Sequence, residues 1–154
     1  MSALRLRPAG PEDADLLLGW ANAPDSLAAK LKTSSPIPRD SHVAWLARRL
    51  ADPATRLRIV LEGSEAVGQV RLEPRDGALE IDVYVVPERR GRGVARAALA
   101  LALAEPAPGS VLRARVRTAN AASRRLFASL GFRETAVRAD HVVLERNANG
   151  AEKP

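Results

Sequence analysis

Arg90-Gly91-Arg92-Gly93-Val94-Ala95 is the stretch on which the reading of this chain turns. It lies between an apolar, strand-like run, Leu79 to Val86 closed by Pro87, and an Ala/Leu-rich helical run, Val94 to Ala104. Where a strand turns through glycines into a helix, the first N–H groups of the helix lack intrahelical partners and sit at the positive end of its dipole. Gly91 and Gly93 let the backbone approach a phosphate closely and take positive φ there. Arg89, Arg90 and Arg92 add full charges to the turn. The pattern R-x-x-G-x-A in this setting points to a pyrophosphate.

Upstream of the turn, Ala3 to Arg7 alternates apolar and basic residues and predicts an opening strand. Pro11-Glu12-Asp13 starts a helix whose apolar face carries Leu16, Leu17 and Trp20. Asn22 to Pro38 is irregular, with a short helical piece near Ser26 to Leu31. Ser41 is placed as an N-cap for a helix with Val43, Leu46 and Leu50 at helical spacing, stopped at Asp52-Pro53. Leu57 to Glu62 and Ala66 to Glu73 flank Gly63-Ser64-Glu65 as a hairpin, and Arg75-Asp76-Gly77 turns into the strand before the glycines. Downstream, Pro106, Pro108 and Gly109 end the helix and Val111 to Val116 is a strand. Ala121 to Leu130 is a helix closed by Gly131 at C′. Two short strands, Arg133 to Val137 and His141 to Glu145, complete the set. The order β-α-α-β-β-β-α-β-α-β-β predicts an α+β fold: a mixed, mostly antiparallel sheet of about seven strands with helices on both faces. It forms one domain over residues 1–146, with a flexible polar tail over residues 147–154.

Composition narrows the function classes. With 154 residues, 46% of them hydrophobic and 27% charged, the chain reads as one soluble globular domain with a sizeable core. No apolar run approaches the length of a membrane span, and Met1 to Pro11 lacks a signal-peptide apolar region, so a cytoplasmic, bacterial-type protein is expected. The absence of cysteine excludes disulfides and thiolate chemistry, and His42 and His141 have no metal-site spacing, so no metal is expected. The net charge of +6 is carried almost wholly by arginine, only Lys30, Lys32 and Lys153 being lysines. That balance suits phosphate-bearing small molecules, or is an arginine-rich solvated surface. The low aromatic content of 3% argues against a base-stacking platform, and no nucleic-acid or membrane partner is expected.

The element order with the glycine turn resembles the GNAT superfamily of N-acetyltransferases over nearly the whole chain. Val85-Val86-Pro87-Glu88-Arg89-Arg90-Gly91-Arg92-Gly93-Val94-Ala95 is similar to that family's acetyl-CoA pyrophosphate loop. Asn120-x-x-Ser123-x-x-Leu126-Phe127-x-x-x-Gly131-Phe132 is similar to its later signature, in which a helix packs beside the cofactor arm. The resemblance therefore implies acetyl-CoA as donor. It also implies cofactor contacts from Val85 and Val86, from the backbone amides of Arg90, Gly91, Arg92, Gly93, Val94 and Ala95 on the phosphates, and from Asn120, Ser123 and Phe127.

The reaction so implied is direct transfer of an acetyl group from a thioester to an amine. An alkyl amine has a pKa of ~10 and must lose a proton first. Glu80 and Asp82 are the candidate acceptors of that proton; period-two alternation puts both on one strand face with Tyr84. Glu80 fits the family's usual base position better, and ordinary polar roles at a partly exposed strand end are the alternative for both. A backbone N–H around Val83 to Val86 would polarise the thioester carbonyl. The family often has a tyrosine where this chain has Phe127, so the proton for the leaving thiolate must come from elsewhere: Tyr84, His141 or water.

For the acceptor, Trp20-x-Asn22, Ile37, His42-x-x-Trp45 and Val67-Gly68-Gln69-Val70-Arg71 resemble a bacterial branch acting on nucleotide-linked amino sugars, as in pseudaminic-acid-type pathways. This implies substrate contacts from Trp20, Asn22, His42, Trp45 and Arg71, with tryptophan stacking on a sugar or base and arginine forking phosphate. The arginine expected near Leu27 and the acidic residue expected at Ala23 are missing. Rival readings are a protein N-terminal or small-amine acetyltransferase and, from another class, an acyl-CoA-binding sensor with little turnover, which Phe127 would favour. Exposed edge strands leave room for a homodimer.

Overall fold

The computed structural model describes residues 3–29 and 35–148. Seven strands form one sheet in the order β1-β2-β3-β4-β5-β7-β6. They are β1 (Leu4–Pro8), β2 (Arg56–Glu62), β3 (Glu65–Arg75), β4 (Ala78–Val85), β5 (Val111–Arg117), β6 (Arg133–Val137) and β7 (His141–Asn147). Every neighbouring pair is antiparallel except β4 and β5. The helices are α1 (Ala14–Ala21), α2 (Pro24–Ala29), α3 (Arg39–Ala51), α4 (Val94–Ala102) and α5 (Ala121–Ser129). The expected α+β architecture is present, and among the described residues no helix is long and apolar enough to cross a membrane.

Two clusters split the core by sheet face. On one face Val94, Ala98, Leu99 and Ala102 of α4 and Phe127 of α5 pack with Leu112, Ala114 and Val116 of β5 and Val142 and Leu144 of β7. On the other, Leu17 of α1 and Leu46 of α3 meet Leu57, Ile59 and Leu61 of β2. The alternation Leu112-x-Ala114-x-Val116 therefore puts Arg113 and Arg115 on the second face, where α1 and α3 pack mainly on β2 and Trp20 of α1 reaches Tyr84 of β4.

Several boundaries differ from the sequence expectations, for local reasons. Strand β3 runs through Pro74 to Arg75 rather than stopping at Glu73. Its pairing with β2 ends at Leu72, so the missing N–H of Pro74 removes no ladder bond on that side. Helix α3 starts at Arg39, with Pro38 in the N-cap position; Ser41 is already inside it and donates its hydroxyl to Pro38 O at 2.9 Å. Helix α2 begins at Pro24, earlier than expected, and the C-terminal end of the expected piece, residues 30–31, lies outside the described residues. The expected tail also begins later. Asn147 belongs to β7, and Ala148 is fully buried, its N–H bonding Ser110 O at 2.7 Å; residues 149–154 lie outside the described set.

Candidate active site

The parallel pair is where the sheet opens. Strands β4 and β5 are in register only at Leu79↔Leu112 and Glu80↔Arg113, and they diverge beyond. Val86 N–H bonds Val67 O at 2.9 Å, which makes Val86 and Val67 a hydrogen-bonded pair of the β3–β4 ladder. Antiparallel alternation then commits the main-chain groups of Tyr84, Asp82 and Glu80 to β3 and turns those of Val83 and Val85 toward the β5 side. With β5 splayed away, the N–H groups of Val83 and Val85 face a gap. That is the arrangement a thioester carbonyl needs, and it corrects one expectation: the N–H of Val86 is taken by Val67.

At the end of that gap stands the glycine turn. Gly91 (φ 77°) and Gly93 (φ 81°) are both left-handed, and Gly93 is the N-cap of α4. A Cβ built on either would meet nothing within 4 Å, so the space over the turn is open. Ala97 N–H is bonded to Gly93 O, which leaves the N–H groups of the first turn, from Val94 on, for an anion. Asn120 caps α5, its Oδ1 accepting from Ser123 N–H at 3.1 Å, and both residues face the same cavity.

The arginines of the turn do not sit as the sequence suggests. Arg89 is held by Glu62 (2.8 Å) and Glu65. Arg90 folds away from the turn: its Nε donates to Val85 O at 2.8 Å, its Nη2 pairs with Asp25 of α2, and it lies over the Tyr84 ring at 5.3 Å. It thus joins the turn to the α1–α3 segment rather than offering its charge to a phosphate. Arg92 is exposed and stands outside the cavity wall. Phe127 is 3% exposed, packs edge-to-face on Phe132 at 5.2 Å and is core rather than cofactor contact. Arg96 and Arg125, which sequence reasoning passed over, do line the cavity. The signal for Arg125 was its helical spacing from Ala122 and Ser129 on α5.

A cavity of about 1680 Å³ runs from this turn, past the gap, to the open part of the α1/α3 sheet face. It is larger than an ordinary single-ligand pocket and has room for a donor and an acceptor together. Glu80, Asp82 and Tyr84 all line it, but their surroundings separate them. Glu80 is occupied: Arg115 Nη1 donates to its Oε1 at 2.7 Å, and its side chain is only 15% exposed. Asp82 is 54% exposed and accepts from Gln69 Nε2 at 2.7 Å, with Arg71 Nη1 farther off at 3.9 Å. Tyr84 stacks obliquely on Trp20 with ring centroids 5.9 Å apart. Burial, reinforced by the Asp25 carboxylate, raises the phenol above its ordinary pKa, against the opposing pull of Arg90, so it keeps its proton at neutral pH. Burial also works to raise Asp25, but the Arg90 guanidinium outweighs it and holds that carboxyl below its ordinary value. His141 reaches the cavity wall engaged with Asp140 through Nδ1 at 2.8 Å.

Of the expected acceptor residues, Trp20, His42, Trp45 and Arg71 line the cavity and Asn22 does not. Asn22 instead ties down the loop: its Oδ1 accepts from Ile37 N–H (2.7 Å) and its Nδ2 donates to Ile37 O (3.0 Å). His42 is 4% exposed and stacked on Trp45 at 5.5 Å, a packing role. Arg71 pairs with Glu73 (2.7 Å) and lies under the Trp45 ring (5.0 Å). Gln69, not marked out from the sequence as a site residue, proves to be the partner of Asp82. Among the described residues no group of acidic, histidine or cysteine side chains could hold a metal.

Comparison with known proteins bears on what this site does. Residues 3–133 match the acetyltransferase (GNAT) domain family. No curated protein matches the chain by sequence. Among solved structures, YncA from Salmonella typhimurium with its cofactor acetyl-CoA superposes with a TM-score of 0.79 at 23% identity, over 99% of this chain and 98% of that one. The spermidine N-acetyltransferase of Vibrio cholerae in complex with CoA and spermine gives 0.80 at 17% identity, over 96% and 97%. The ribosomal-protein-alanine N-acetyltransferase of Brucella melitensis gives 0.76 at 24% identity, over 93% and 99%. At these identities the likeness to the three structures is one of fold.

Proposed function

The chain belongs to the GNAT family of acetyltransferases, whose donor is acetyl-CoA, and we propose from its site that it acetylates a small-molecule primary amine, with Asp82 taking the proton and Tyr84 returning one. The observation that carries this reading is the opening of the sheet beyond Glu80↔Arg113, which brings the N–H groups of Val83 and Val85 and the side chains of Asp82 and Tyr84 to one gap.

Acetyl-CoA supplies the activated acetyl carbon and a thiolate leaving group whose conjugate pKa is ~8.5. The α4 N-terminus with Gly93 holds its phosphates, and the Val83 and Val85 N–H groups donate to its carbonyl oxygen, an effect worth ~3 kcal/mol per donor in comparable sites. Asp82, held by Gln69 with carboxylate surface still exposed, accepts the ammonium proton so that the nitrogen lone pair is free to attack. Glu80 serves the strand instead, locked to Arg115. The Tyr84 phenol gives its proton to the sulfur and recovers one from solvent. The amide bond forms as the thioester C–S bond breaks: the nitrogen gives one proton to Asp82 before attack and releases its second to solvent after it, while the proton on sulfur comes from Tyr84.

A nucleotide-linked amino sugar as acceptor loses most of its polar contacts. Asn22 is spent on Ile37 and Arg71 on Glu73 and Trp45, which leaves Trp20 and Trp45 as the support for that substrate. A sensor without turnover is favoured by Phe127, which has no proton to give the thiolate, and acetyl transfer to any amine excludes it. Calorimetric titration with acetyl-CoA tests the donor site. We expect micromolar binding that Gly93→Glu abolishes and Ala95→Glu, placed in the same turn without a positive φ, weakens at least tenfold. No binding by the unmodified protein, or equal binding by both variants, would sink the assignment.

A further inference from the structure

Resting on that reading, we infer that the acceptor is a compact primary amine that also carries an anionic group, a phosphate or a carboxylate, docked by Arg48 and Arg75. Four arginines line the acceptor half of the cavity, and their partners differ. Arg71 is neutralised by Glu73 at 2.7 Å, and Arg115 by Glu80 at 2.7 Å with Asp76 at 3.9 Å. Asp25, the remaining carboxylate on the α2 side, is matched by Arg90. Arg48 and Arg75 are exposed on the wall and have no carboxylate partner among the described residues. The unmatched charges of this half are therefore these two guanidinium groups and, at the other end, the exposed Asp82 carboxylate.

Their placement follows from two periodicities. Trp45 lies over Arg71 at 5.0 Å, and Arg49 reaches Glu73 at 3.1 Å, so α3 runs along β3. Arg48 shares the Trp45 face of the helix, and Arg75 shares the Gln69-Arg71-Glu73 face of the strand. One helical turn and four strand residues set the anion roughly 5–13 Å from the Asp82 end. At that end Gln69 is 6% exposed; its Nε2 is spent on Asp82, and its Oε1 is buried with no partner among the described residues. The exposed Asp82 carboxylate that Gln69 holds is thus the group open to an ammonium, all donor, while the anionic group of the same molecule suits two guanidinium forks. A polyamine would instead bring its further ammonium groups against Arg48 and Arg75.

Matched acceptors at saturating acetyl-CoA test this: glucosamine 6-phosphate against glucosamine, O-phosphoethanolamine against ethanolamine, and lysine against cadaverine, with spermidine beside them. The phosphate and carboxylate pairs separate the two sources of the anion. We expect the anionic member of at least one pair to be favoured about tenfold or more in kcat/KM. Arg48→Ala and Arg75→Ala should each raise its KM about tenfold, leaving the Kd for acetyl-CoA unchanged. Calorimetry of the CoA-loaded protein with the same anionic amines measures docking independently of turnover. Binding that both substitutions weaken supports the inference. Preference for spermidine or the amines without an anionic group, absence of binding by every anionic amine, or indifference to both substitutions overturns it. If acetyl-CoA itself fails to bind, it is the acetyltransferase reading that has failed.

Discussion

Gly68 stands on β3 directly opposite Val85, and its lack of a side chain lets β4 lie close at the place where the sheet opens. A Cβ at this position would meet Tyr84 O at 2.2 Å, with Tyr84 C and Val85 Cα both at 3.2 Å. Real Cβ contacts essentially never fall below 3.0 Å, so Gly68→Ala requires β3 and β4 to part by about 0.8 Å. The obstacle is backbone, and no rotamer change relieves it. Overpacking of this kind costs roughly 1–3 kcal/mol, and a main-chain obstacle places this site toward the upper end. In a chain of this length ~1 kcal/mol moves Tm by about 2–4 °C, so a fall of roughly 4–12 °C is expected. The displaced segment is also the one that presents Val83, Tyr84 and Val85 to the gap, so acetyl-CoA binding should weaken with stability. Gly19 provides the matched control. It is exposed in α1, nothing lies within 4 Å of its Cβ position, and Gly19→Ala should stabilise the protein by about 0.5–1 kcal/mol through helix propensity alone. Thermal melts of both variants, with acetyl-CoA calorimetry on the first, provide the check. A Gly68→Ala protein that melts within about 1 °C of the parent and binds acetyl-CoA equally well would refute the reasoning about this contact.

Asp82→Asn should lower kcat by about 10²-fold or more, whereas Glu80→Gln, which breaks the Arg115 pair, should act mainly on stability; steady-state rates and melts of the two variants separate the roles. Tyr84→Phe should slow turnover by about 10²-fold, and in the parent the alkaline loss of the phenol proton should lie above pH 10, because burial raises that group; an alkaline limb near neutral pH that persists in the Phe variant would assign the proton to another group. Arg7 donates twice to Asp13, at 2.8 and 2.9 Å, and with the Gly10 N–H it holds the Asp13 carboxyl below its ordinary 3.8 against the upward push of burial. A depressed folded value means the stabilisation is present above pH 3.8 and is lost as pH falls through the folded value. Asp13→Asn should therefore cost about 1–3 kcal/mol at neutral pH, and its melting temperature should depend less on pH below 3.8 than the parent's.

The glycine turn, the strand-helix order and both signature helices were legible from the chain itself because each is local. Gly91 and Gly93 occupy left-handed positions on a strand-to-helix turn, and Asn120 caps the helix that Gly131 closes. The alternation that put Glu80, Asp82 and Tyr84 on one face survives in β4 unchanged. What could not be read is which partner each long side chain finds. Arg89 and Arg90, adjacent to the turn in sequence, reach carboxylates at Glu62, Glu65 and Asp25, between 24 and 65 residues away. Phe127 sits in α5, the helix that the sequence resemblance put beside the cofactor, yet it points into the core against Phe132.

By itself the sequence determined the element order, the glycine turn proposed to hold an anion and the carboxylates proposed as candidates for the base, since backbone preference and period-two or 3.6 patterning act over a few residues. Only the tertiary structure set the surroundings of those carboxylates apart. Arg115 on β5 closes over Glu80 and Gln69 on β3 orients Asp82, and both are cross-strand contacts that exist once β4 lies between its two neighbours. Ion pairing is set by distance in space, and strand neighbours 13 and 35 residues apart along the chain meet only in the assembled sheet.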